Sequence, residues 1–78
     1  MARKTFEISE GTAIQVQAIE YKGKQRISIR QMYKKKGEKK WSPAKQGITL
    51  PKENAKEIAK RILKYADLDD DEFEKVGE

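Results

Sequence analysis

The dipeptide Lys22-Gly23 constrains this chain more than any other feature, because it stands between two alternating segments. Gly23 supplies the positive φ that a two-residue hairpin turn requires. Before the turn, from Thr12 to about Tyr21, Ile14, Val16 and Ala18 share one face while Gln15, Gln17, Ile19 and Tyr21 share the other. After it, from Lys24 to about Lys34, Ile27 and Ile29 alternate with Arg26, Ser28 and Arg30. The pattern predicts an antiparallel pair with one apolar face and one open, cationic face. Tyr21 to Tyr33 thus joins aromatic rings to closely spaced cations, which suits a surface that stacks bases and neutralises phosphates.

The remaining elements extend this pair into a sheet and then a helix. Phe6 and Ile8 alternate with Glu7, so a short first strand is expected there, ahead of a turn or bulge at Glu10-Gly11. Residues 1–5 are expected to form a basic end, with Met1 to Lys4 frayed. The run KKGEKK at 35–40 is too charged for a core, and a turn beginning on Gly37-Glu38 is expected within it. Pro43 cannot donate to a central ladder. Lys45 to Leu50 predicts a last short strand, with Ile48 and Leu50 on one face and Gly47 permitting a bulge or a close backbone approach. From Pro51 to about Ala66 the apolar positions Ala55, Ile58, Ala59, Ile62, Leu63 and Ala66 recur at helical spacing. That stripe is wider than one sheet needs, and the excess suits a second helix. A domain over 6–66 follows, then an acidic tail from Asp67 to Glu78 that is expected to be mostly disordered.

Composition sharpens the expectation of a partner chain. In 78 residues only 36% are hydrophobic, and cysteine and histidine are both absent. A domain so small is marginal alone, and disulfides and thiolate or imidazole metal ligands are removed. Self-association, as a homodimer, is the stabiliser that remains. No apolar run reaches membrane-spanning length and no leader pattern follows the first residues, which points to a cytoplasmic protein, nucleoid-associated if bacterial.

Charge is divided along the chain. Residues 1–66 carry 17 of the 18 basic residues and 6 of the 13 acidic ones, a net +11; residues 67–78 carry 1 and 7, a net −6. The first part attracts polyanions, and the tail is expected to compete with them. Catalysis has no support: there is no imidazole or thiol, no glycine-rich phosphate loop, and carboxylates cluster only in the tail. Asp67, Asp69, Asp71 and Glu78 fall at positions one, three, five and twelve of a calcium loop, but Glu72 occupies the sixth position, which requires glycine. No cofactor or metal is expected.

The candidate nucleic-acid-binding residues are the rings Tyr21, Tyr33 and Trp41 and the cations Lys22, Lys24, Arg26, Arg30 and Lys45. Tyr21 lies at the hairpin mouth. Tyr33 has the parity of Ile27 and Ile29, so a core role stands beside a stacking one. Trp41 either plugs the sheet edge or stacks on a base. Two other readings use the same residues: a single-stranded-RNA-binding module, and a basic adaptor for an acidic protein that needs no stacking.

The order of these pieces resembles the transcriptional positive cofactor four family of single-stranded-DNA-binding coactivators. The family's F-x-I opening corresponds to Phe6 to Ile8 and its V-x-V-like strand to Val16 to Ala18. Its aromatic-K-G-K turn corresponds to Tyr21 to Lys24, its I-x-I-R strand to Ile27 to Arg30, and its K-G-I-[ST]-L strand to Gln46 to Leu50; the closing helix starts at Pro51. The resemblance covers about residues 6 to 66. It implies an α+β fold, a strongly bent four-stranded antiparallel sheet followed by one amphipathic helix, dimerising through the helices. It also implies sequence-tolerant binding of single-stranded DNA in transcription regulation or DNA maintenance. Tyr21 and Tyr33 fall at its base-stacking positions, and Lys22, Lys24, Arg30 and Lys45 at its backbone-contacting ones. Gln46 replaces the family's lysine before the glycine, and Tyr33 replaces a tryptophan. The sequence has none of the serine-rich extension of the eukaryotic coactivators, so the resemblance is to a compact, bacterial-type member.

Overall fold

The structure is a computed structural model and describes residues 2–77. Strands β1 (Arg3–Ser9), β2 (Thr12–Tyr21), β3 (Lys24–Tyr33) and β4 (Ser42–Pro51) form one antiparallel sheet in chain order. Helix α1 (Lys52–Ala66) follows, then a single 3-10 turn over Asp70–Glu72. The expected α+β architecture is the one observed. Among the described residues no helix is long and apolar enough to cross a membrane.

The hairpin is as the sequence demands. Tyr21 pairs with Lys24, and Lys22 (φ 51°) and Gly23 (φ 76°) both take positive φ between them, the pair of values that a type I′ turn needs. Register then sorts every strand residue onto one of two faces. Val16 lies opposite Ile29, which lies opposite Ile48; Ala18, Ile27 and Leu50 form the next row. Phe6 opposite Ile14 extends this apolar face into β1. The other face carries Gln15, Gln17, Ile19 and Tyr21 from β2 and Lys24, Arg26, Ser28 and Arg30 from β3.

Four details differ from the sequence reading. β1 begins at Arg3, with Arg3 opposite Gln17 and Lys4 opposite Val16, so these two residues are paired rather than frayed. Ladder pairing with β2 outweighs their lack of apolar character. β4 begins at Ser42 and includes Pro43, which is tolerated because β4 is an edge strand. In the 35–40 turn, Glu38 N–H donates to Lys35 O (2.9 Å), so Gly37 (φ 88°) is the third residue and not the first. Pro51 caps α1 as the last residue of β4, one position before the helix proper. The tail holds one regular element, the turn at 70–72, and Leu68 is its one half-buried residue among those described.

The ladder is irregular at two places. Between Glu7 and Ser9 one extra residue enters β1, and three residues of β4, Ala44 to Gln46, lie between partners where β3 has one, Gln31. Such insertions bend a strand and raise its twist.

Helix α1 stands over the apolar face but does not close it. Lys52 Nζ donates to Gln25 Oε1 (3.1 Å), holding the helix start to β3. Beyond that point a groove opens, lined by Val16, Ile27, Ile29 and Leu50 on the sheet and Ala55, Ile58, Ala59 and Ile62 on the helix. Ile62 and Leu63 are 61% and 65% exposed, and the buried apolar residues are Ala13 and Met32 alone among those described. The accessible surface is 7218 Å², against about 4,900 Å² for a compact chain of this mass. The radius of gyration is 15.2 Å, against about 11.5 Å for a compact domain of this length.

Candidate nucleic-acid interface

The polar face of the sheet is built around β3. Lys24, Arg26 and Arg30 project from one side of this strand because the two-residue period puts Gln25, Ile27 and Ile29 on the other. Their cross-strand neighbours leave the charge open: Tyr21 faces Lys24, Ile19 faces Arg26, and Gln15 and Gly47 flank Arg30. Glu7 in β1 is the single acidic strand residue on this face among those described. Gln15 Nε2 donates to Thr5 Oγ1 (3.1 Å), which satisfies the uncharged part of the face locally.

Each end of this face holds a ring beside a lysine. At the hairpin, Tyr21 is 62% exposed and the Lys22 Nζ lies 5.4 Å from its ring centroid. At the far end, the Lys34 Nζ lies 4.3 Å from the Trp41 ring. Trp41 is half-buried, immediately before β4, and alternation from Pro43, the partner of Met32, places it on the polar face. Both contacts fall within cation–π range. Each ring therefore has one lysine beside it and part of its surface open to solvent.

Arg30 is the most constrained cation. Its Nη1 donates to the Ala44 carbonyl at 3.1 Å, and its guanidinium lies against Gly47. Lys45 lies beside it in the irregular part of β4, exposed. Register thus brings together seven of the eight candidates: Tyr21, Lys22, Lys24, Arg26, Arg30 and Trp41 along β3 and its hairpin, with Lys45 at the edge. It separates Tyr33, which pairs with Thr12 and Ser42, shares the helix-side parity of Ile27 and Ile29, and is 39% exposed. Lys34 was missed by the sequence reading. Its parity with Arg30 was the available signal, but its proximity to Trp41 depends on how the 35–40 turn folds back.

The acidic cluster in the tail is separate from this face. Asp69, Asp71 and Glu72 bring carboxylate oxygens within 4.8 Å of one another, all exposed. Asp67 is the helix C-cap and is not part of this group, and Glu78 lies outside the described residues. On α1, Arg61 Nη1 donates to Tyr65 Oη (3.1 Å), and that bond, with the charges of Arg61 and Lys64, lowers the Tyr65 phenol below its ordinary pKa.

Comparison with known proteins bears on the fold and the family. Residues 8–60 match the family described as Transcriptional Coactivator p15 (PC4). The fold is similar to that of a PC4 homolog from Burkholderia pseudomallei, with a TM-score of 0.71 at 17% identity over 85% of this chain and 88% of that one. It is also similar to the bacteriophage T5 homolog of the eukaryotic coactivator PC4, which is implicated in recombination-dependent DNA replication. That likeness has a TM-score of 0.55 at 17% identity, over 83% of this chain and 77% of the phage one. No curated protein matches the chain. The family match spans both hairpin strands, β4 and the first part of α1, and the chain belongs to the transcriptional coactivator p15 (PC4) family, whose members bind DNA.

Proposed function

We propose that this protein binds single-stranded DNA, with little sequence preference, on the polar face of its sheet. The observation that carries the reading is the acid-poor row Lys24, Arg26 and Arg30 between two rings, Tyr21, which is exposed, and Trp41, which is half-buried. Rings stack on any base and cations hold any backbone, so such a surface tolerates sequence. A duplex hides its base faces and offers phosphates and the base edges in its grooves, neither of which a ring can stack on. Transcription regulation and DNA maintenance in the cytoplasm or nucleoid are the processes that expose such strands.

The working unit in this reading is a homodimer. The uncovered stripe Ile58, Ile62 and Leu63, with the open groove beneath it and Phe6 and Ile48 at its margins, is the mating surface. The surface in excess of a compact chain, about 2,300 Å², matches the burial of an obligate dimer interface.

The test is a titration with unstructured oligothymidine, followed by the fluorescence of the single tryptophan, Trp41. Quenching is expected, with log affinity falling against log salt at about −0.7 per phosphate neutralised and a total slope of several units. The same strand annealed into duplex should compete poorly. Equal affinity for duplex would refute the stacking groove. Oligouridine binding more tightly than oligothymidine would favour RNA.

The tail adds a competitor in this reading. A −6 segment tethered to a +11 body stays at high effective concentration near the basic face. Deleting residues 69–78 should raise oligothymidine affinity several-fold at low salt and little at high salt, where the attraction is screened. Identical affinities for the two proteins at low salt would exclude competition.

A further inference from the structure

We propose that Gly47 is a positioning residue for Arg30, holding its guanidinium as a fixed donor fork on the polar face. The use of that fork on a phosphate rests on the single-stranded-DNA reading; the seat itself does not. Gly11, Gly23 and Gly37 have positive φ, whereas Gly47 does not, so its backbone conformation does not call for glycine. What calls for it is space. A Cβ at position 47 would lie 3.3 Å from Arg30 Cζ, 3.4 Å from Nη1 and 3.4 Å from the Ile29 carbonyl oxygen. The first of these is tighter than most side-chain contacts, so the guanidinium would have to give by a few tenths of an ångström, while the Ile29 carbonyl would sit at ordinary contact distance on the other side. Arg30 and Gly47 are direct cross-strand partners, so an alanine methyl would press against the guanidinium and displace it from its present seat.

The irregularity of β4 completes the seat. Three residues of β4 stand against one of β3 here, so the Ala44 carbonyl leaves the regular ladder and accepts from Arg30 Nη1 at 3.1 Å. This is the one acceptor that Arg30's side chain meets among the described residues. A guanidinium has five N–H donors, so most of the fork stays available to an incoming anion. A fork held flat in advance loses less freedom on binding than a free-standing arginine, and its planar donors suit a phosphate better than a lysine ammonium does. Gly47, the Ala44 carbonyl and Arg30 therefore act as one unit, with two members that never touch the ligand.

Two measurements test this. The first needs no DNA: the Arg30 Nε–H resonance should move in Gly47→Ala, while the amide spectrum beyond β3 and β4 stays that of the folded protein. An unmoved Arg30 resonance overturns the seat. The second is a double-mutant cycle on oligothymidine affinity. Gly47→Ala should weaken binding about three- to tenfold with Arg30 present and leave it unchanged in an Arg30→Ala background. An equal loss in both backgrounds would assign Gly47 a general backbone role and overturn the proposal. Arg30→Lys keeps Gly47 and the charge but removes the fork, so it should lose a comparable amount even if Gly47→Ala folds poorly; wild-type affinity in that variant also overturns it. If the unchanged protein fails to bind oligothymidine, the single-stranded-DNA reading falls, and the Arg30 resonance still decides the seat.

Discussion

Replacing Ile62 with aspartate should abolish the proposed dimer and unfold most of the chain at micromolar concentration. Ile62 lies on the helix side of the open groove and is 61% exposed in the single chain. Burying such a side chain is worth about 1.5–3 kcal/mol, and even an unpaired neutral polar group in its place costs about 2–7 kcal/mol, an ionised carboxylate more. The change enters twice in a symmetric dimer, so the total is comparable with the whole stability of a small domain, about 5–15 kcal/mol. A single chain cannot absorb that loss, because its buried apolar residues among those described are Ala13 and Met32. Dissociation and unfolding should therefore coincide. Sedimentation velocity and far-ultraviolet circular dichroism check this together, and the unchanged protein should show a melting temperature that rises with concentration. Glu57→Gln, on the opposite side of the helix, should alter neither. A folded Ile62→Asp dimer with an unchanged midpoint would show that α1 is not the interface.

Strand order and faces were legible because each relevant signal was local. Lys22-Gly23 fixes the central hairpin, and a fixed turn fixes the register, so Ile27 and Ile29 had to share a face with Val16 and Ala18. The helix was legible from its period, and the surplus width of its stripe corresponds to the exposed Ile62 and Leu63. What stayed hidden depended on contacts distant in sequence. Arg3 and Lys4 join β1 only because β2 is there to pair with them. Lys34 meets Trp41 only once the 35–40 turn has folded. The seat at Gly47 was visible as a glycine that permits close approach, but that Arg30 is what approaches follows from a register with extra β4 residues, which no periodicity predicts. Tyr33 is the instructive case. Its motif position suggested stacking and its parity suggested the core face; register supports the parity, and partial exposure keeps the ring accessible at the strand end.

Tyr21→Ala should cost about 5- to 150-fold in oligothymidine affinity, the equivalent of one stacked base at about 1–3 kcal/mol. A strand that crosses both sheets of a dimer meets two copies of Tyr21, so long oligonucleotides should lose more than short ones that reach a single sheet. Stability should change little. Tyr21 is 62% exposed, and the contact it gives up is with Lys22 at 5.4 Å, worth about 0.5–1 kcal/mol at an exposed site. The hairpin persists because Lys22 and Gly23 set the turn, not the ring. Tyr21→Phe keeps the aromatic face and should retain most of the affinity. Salt dependence separates ring from charge: Tyr21→Ala should lower affinity while leaving the salt slope unchanged, whereas Lys24→Ala with Arg26→Ala should flatten the slope by up to about 1.4 units, two phosphates at about 0.7 each. An adaptor for an acidic protein predicts the reverse weighting, with lysine and arginine substitutions decisive and Tyr21→Ala silent. Unchanged affinity in a folded Tyr21→Ala protein would remove Tyr21 as a stacking platform and leave the basic face with charge alone, which does not distinguish a single strand from a duplex.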